Sequence, residues 1–138
     1  MLKRTLIVGG LSVAAVLAAD LRPAEAYRCS IPAVRDSIKR AVCGTPALRA
    51  LDTQETAKLS ELRSWLNRNA YNYTEDDRKQ FTAQRAKCGA KDIRCLEATY
   101  QAQVRLYSVL LGCKAGTRQT ACVKNAVQKH RQALHSSM

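Results

Sequence analysis

Six cysteines in a chain of 138 residues constrain this fold more than any other feature. They fall in three pairs close in sequence: Cys29 and Cys43, Cys88 and Cys95, Cys113 and Cys122. An even count in a short exported chain reads as a disulfide framework. The start of the chain supplies the export signal. Lys3 and Arg4 precede an apolar stretch from Thr5 to Ala19, and Ala24-Glu25-Ala26 follows with small residues at the two positions a signal peptidase reads. Residues 1–26 are therefore expected to be a signal peptide cleaved before Tyr27. The apolar stretch of 15 residues falls short of the roughly 20 that a membrane-spanning helix needs. No Cys near its end offers a site for a lipid anchor.

Cleavage there leaves residues 27–138, with all six Cys, as a single domain. The leader takes with it three cations (Lys3, Arg4, Arg22) and two acids (Asp20, Glu25), so the net charge moves from +12 to +11.

The apolar spacing is helical throughout. Val34, Ile38 and Val42 recur every four residues up to Cys43-Gly44. Thr45-Pro46 reads as an N-cap and first helical residue. Leu48, Leu51, Glu55, Leu59, Leu62 and Leu66 follow at steps of three and four, with Glu55 as the polar break, and this helix should run to about Asn69. Asn67 to Tyr73 reads as a turn. Thr74 then caps a third helix, with Asp77 three residues on and Glu75, Asp76 and Asp77 at the positive end of its dipole. Cys88-Gly89 closes it. A fourth helix starts near Asp92 and places Ile93, Leu96, Tyr100, Val104, Tyr107 and Leu111 on one face. Gly112 to Gly116 breaks it, and a fifth starts near Thr117 or Thr120, with Val123, Val127 and Leu134 inward. No stretch alternates with period two. The expected fold is all-α: a small disulfide-stapled bundle of about five helices, with Trp65 packed in its core.

Two cysteine pairs straddle helix–turn–helix joints, which favours bridging in sequence order. Six Cys allow 15 connectivities, however, and sequence does not choose strictly among them. No CxxC occurs, which argues against zinc and against disulfide exchange. His130 and His135 are five apart rather than four, the wrong spacing for a metal pair on one helical face. No nucleophile elbow, HExxH or phosphate loop is present. The chain reads as non-catalytic, with no cofactor.

Charge is the clearest surface signal. Arg35 and Lys39 lie one turn apart. Arg78, Lys79, Arg85 and Lys87 crowd the third helix, and Lys124 and Arg131 share a face of the last with Gln128. Such a field attracts polyanions, and the competing reading is a set of solvated helix faces. Nucleic acid is a poor partner for an exported chain without interleaved aromatics.

The residues also resemble a family. Tyr27-Arg28-Cys29 and Cys43, then Pro46, Leu48 and Leu51-Asp52, then Phe81, Arg85 and Cys88, then Cys95-Leu96, Tyr100 and Val104 follow the pattern of the N-terminal-type domain of bacterial lysozyme inhibitor LprI. The resemblance spans about Tyr27 to Tyr107. Lys39 stands where that pattern has an acid, Gln103 where it has an Arg, and Phe81 where Trp is usual. Asn67–Thr74 looks like a lengthened turn, and the tail from about residue 112 is an extension.

The resemblance implies a helical exported domain, periplasmic or secreted, that binds lysozyme. Common animal lysozymes are basic, so a cationic inhibitor would need a local acidic surface. Glu75, Asp76 and Asp77, flanked by Arg78 and Lys79, are the candidate partner-binding residues. The alternatives are a basic envelope protein that binds anionic cell-surface polymer or lipid headgroups, and a secreted factor acting on a host partner.

Overall fold

The computed structural model describes Tyr27, Cys29 and residues 36–137. The expected signal peptide and the start of the first apolar stripe lie outside the described residues. Five helices follow in order: α1 (Ser37–Gly44), α2 (Pro46–Trp65), α3 (Arg68–Cys88), α4 (Ile93–Leu110) and α5 (Gln119–Ser136). Among the described residues there is no strand. Nor, among the described residues, is any helix long and apolar enough to cross a membrane.

Local chemistry sets most helix boundaries. Asp36 caps α1 by accepting from the Lys39 N–H at 2.9 Å. Pro46 opens α2, where its missing N–H costs nothing. Asp92 caps α4 by accepting from the Cys95 N–H at 3.1 Å. Gly89 ends α3 at a φ of 72°, a conformation that a side chain disfavours, and its N–H reaches the Arg85 and Ala86 carbonyls.

One boundary differs from the sequence expectation. Residues 67–73 form no turn, and Thr74 caps nothing. α2 stops at Trp65, and Asn67 caps α3 through its side chain, which accepts from the Ala70 N–H at 2.9 Å. Thr74 sits inside α3, fully buried, its hydroxyl donating to the Ala70 carbonyl at 3.1 Å. Ala70, Thr74, Asp77 and Phe81 recur at steps of four, three and four and form the buried stripe of α3. Half of that stripe is polar, so apolar periodicity does not reveal it.

The helices pack with α2 against α4 most extensively. α5 lies across α3 and α4, and α1 rests on α2. Two apolar clusters result. One, on the α5 side, gathers Leu59, Leu62, Ala70, Leu106, Tyr107, Leu110, Cys113, Val123 and Val127, with Trp65 and Leu66 packed on its edge. The other, on the α1 side, holds Val42, Leu48, Phe81, Leu96 and Tyr100, flanked by Tyr27, Ile38 and Ile93.

The cysteines bridge in sequence order: Cys29–Cys43, Cys88–Cys95 and Cys113–Cys122. Their Cα–Cα spans of 5.3, 5.5 and 5.7 Å lie in the ordinary disulfide range. The first ties the N-terminal segment to α1, and the others clamp the α3–α4 and α4–α5 joints.

Candidate functional site

The helix that carries Glu75, Asp76, Asp77, Arg78 and Lys79 sends these side chains in different directions. Asp77 points inward, 2% exposed, and accepts from Gln103 Nε2 at 2.8 Å. Glu75 accepts from Arg63 Nη2 at 3.0 Å. Asp76 stays on the surface, 3.8 Å from Lys79 Nζ. Arg78 turns back toward the buried Glu55, with Nε 3.5 Å from Oε1. These residues lie in the first half of α3, within the helix rather than at its start, and they form no acidic loop. Two of the three acids are engaged in contacts with other helices.

A cavity lies elsewhere, between α3, α4 and the C-terminal half of α5. It encloses about 460 Å³, a volume typical of small-ligand sites. Phe81, Ala98, Ala102 and Leu134 supply apolar lining, and Lys87, His130, Arg131 and His135 bring basic groups to the same cavity. Asp77 and Gln103 also face it. Burial pushes the Asp77 carboxyl up, against the opposing pull of the Gln103 hydrogen bond, His130 and Arg131. Burial pushes the His130 imidazole down, while the Asp77 charge works to raise it. His130 and His135 both line this cavity despite their spacing of five. Sequence reasoning missed the cavity as a site. Gln103 entered only as a departure from the family's Arg, and nothing in the spacing of α5 signals its tilt over α3.

A second polar cluster is buried at the α1 side. Arg85 donates to the Tyr100 hydroxyl at 2.8 Å, and that hydroxyl donates to Asp52 Oδ1 at 2.9 Å. The Arg85 guanidinium lies 4.5 Å from the Phe81 ring centroid, 5.5 Å from that of Tyr27 and 5.5 Å from that of Tyr100. Burial raises the Tyr100 phenol strongly, so it remains a proton donor at any ordinary pH. Burial also raises the Glu55 carboxyl, and Arg78 opposes that shift. The polar break expected in the α2 stripe is thus 1% exposed and stays on the inward face.

These placements change the surface more than the net charge reveals. Asp52, Glu55 and Asp77 are withdrawn from solvent. Among the described residues twelve cations remain exposed: Arg40, Arg49, Arg68, Lys79, Lys87, Lys91, Arg94, Arg105, Lys114, Arg118, Lys124 and Lys129. Of the described acids only Asp36, Glu61, Asp76 and Asp92 are exposed, and two of those four cap helices. Among the described residues no group of His, Cys, Asp and Glu is placed to hold a metal ion.

Comparison of the chain with protein-family models, with curated proteins and with solved structures finds no match to any of the three. The likeness to the LprI domain therefore stands on the residues quoted from the sequence.

Proposed function

We propose that this is an exported, non-catalytic binding domain whose partner is an anionic component of the cell envelope, either a polymer or a lipid headgroup. The observation that carries this reading is the imbalance of exposed charge: among the described residues twelve cations are exposed against four acids, with Asp52, Glu55 and Asp77 buried. Such a surface attracts phosphate- and carboxylate-rich partners over a Debye length and repels basic ones. The cavity between α3, α4 and α5 offers basic groups beside an apolar lining, the combination an anionic headgroup would use. Lysozyme inhibition, the activity the resemblance implies, is the second reading. Its candidate contact, Glu75 to Asp77, would have to act with Asp77 buried and Glu75 paired to Arg63.

The test uses the mature oxidised protein. Binding is measured to phosphatidylglycerol-containing vesicles, to pure phosphatidylcholine vesicles and to a soluble polyanionic wall polymer, each across a range of salt. Binding to the vesicles or the polymer that weakens steeply with salt, and is missing for phosphatidylcholine, supports the reading and tells the two sources apart. The same protein is titrated into lysozyme acting on a soluble substrate. Saturable inhibition there, with no salt-sensitive binding to either anionic probe, replaces the reading with the inhibitor one.

A further inference from the structure

The Tyr27 backbone nitrogen donates to Asp52 Oδ2 at 2.8 Å. Asp52 belongs to α2 and is 4% exposed, so this is a long-range contact to a buried carboxylate. Its other oxygen accepts from the Tyr100 hydroxyl. While Tyr27 sits inside a longer chain, both donors are neutral. A buried carboxylate is held far better by an opposite charge than by neutral donors alone.

Among the described residues no cation meets Asp52 directly: Arg85 reaches it only through the Tyr100 hydroxyl. Glu55, buried on the same helix, has the Arg78 guanidinium 3.5 Å away. A positive charge at the Tyr27 nitrogen would give Asp52 a direct partner of its own.

Export supplies that charge. Hydrolysis of the Ala26–Tyr27 peptide bond by a signal peptidase consumes one water and leaves a carboxylate on Ala26 and an ammonium on Tyr27. An α-amine is largely protonated at neutral pH. We infer that Asp52 is the receiving site for the Tyr27 α-ammonium, so that removal of the leader completes a buried ion pair at the α1 side of the bundle. The Cys29–Cys43 bridge, two residues further on, holds the new terminus near α1. Arg85 lies against the Tyr27 ring and the same cluster. This inference rests on cleavage before Tyr27 and not on any reading of the partner.

The full-length precursor is exported and the intact mass of the product measured. A product that begins at Tyr27 is expected, and a terminus at any other residue overturns the inference. The exported protein is then compared with a form carrying one extra glycine before Tyr27, which turns the ammonium back into a peptide N–H but leaves Asp52 in place. The extra glycine should lower the folding equilibrium constant by about tenfold, the scale of one charge-assisted hydrogen bond. In an Asp52→Asn background it should change that constant much less, which isolates the pairing from any general effect of lengthening the chain.

Where Asp52→Asn does not fold, acylation of the α-amine in the wild-type protein gives the second readout. Labelling at Tyr27 should be about tenfold slower in the folded than in the reduced, unfolded chain, with exposed lysines such as Lys114 as internal controls. Equal stability with and without the extra glycine, or an α-amine that labels as fast folded as unfolded, contradicts the inference.

Discussion

The two ends of the bundle reach stability by different chemistry. The α5 side closes over aliphatic side chains, with Leu59, Leu62, Leu110 and Val123 fully buried. Some of its polar contacts lie at the seam where α3 and α5 begin. There Asn67 N–H donates to Gln119 Oε1 at 2.7 Å, and the Thr120 hydroxyl donates to Asn67 Oδ1 at 3.0 Å. The α1 side has a smaller apolar cluster and builds the rest of its interior from Asp52, Tyr100 and Arg85. The first kind of core is insensitive to pH and salt. The second depends on each charge having its partner, and losing one exposes the desolvation cost of the other. A domain with one Phe and one Trp has few large apolar side chains to fill both ends.

The comparison can be broken in order of expected effect. Reduction of all three bridges should unfold the domain. Each contributes about 2–4 kcal/mol, and three together approach the whole stability of a small domain. Loss of the helical far-ultraviolet signal on reduction checks this, and a reduced protein that stays folded at 37 °C would refute it. Next, Leu62→Ala should cost about 3 kcal/mol through a cavity in the α5-side cluster, with the same loss at low and high salt in urea titrations. Arg85→Met should cost about 2–3 kcal/mol, because Tyr100 loses its donor while Asp52 and Glu55 lose a counter-charge. That loss should shrink at acid pH as the Glu55 carboxyl, raised by burial, takes up its proton, whereas the Leu62→Ala loss should not.

Asn67→Ala should cost about 1 kcal/mol by removing the α3 cap, together with its tie to Thr120. The smallest effect concerns the cavity. His130 is buried below its ordinary value, so it contributes stability above pH 6.5 that is lost as pH falls toward its lowered folded value. Asp77, held above its ordinary value, acts in the opposite sense and restores stability at lower pH as it takes up its proton. His130 lies near Asp77, Arg105 and Arg131, and the two titrations are separated by His130→Gln and Asp77→Asn. The first should abolish the loss just below pH 6.5, and the second should abolish the later recovery.

Much of this architecture is legible in the sequence, and the misreadings share one cause. Asp92 marks a helix start because capping is a local interaction, and Pro46 marks one at the first helical position although Thr45 makes no side-chain cap. Two of the bridges follow sequence order because each closes one helix–helix joint. Asn67 to Tyr73 misleads because three Asn and a scarcity of aliphatic residues look like a turn. The helix there is specified by Asn67 capping Ala70 and by Thr74 and Asp77 finding buried partners. Glu55 is placed on the inward face by its spacing, but the partner that makes its burial tolerable, Arg78, is on another helix. Long-range partners for polar groups are invisible to apolar periodicity. The cavity is invisible too, because it depends on how α5 crosses α3 and α4.

The central claim is that outward-facing cations beside the α3–α4–α5 cavity engage an anionic envelope ligand. The most direct test compares two double variants in binding to phosphatidylglycerol-containing vesicles and to the soluble anionic polymer. Lys87→Gln with Arg131→Gln alters the cavity. Arg40→Gln with Arg49→Gln removes the same charge from α1 and α2. The cavity variant is expected to lose several-fold more affinity than the remote one, and its salt dependence to become shallower. Equal losses from both variants, or no loss from either, would contradict it.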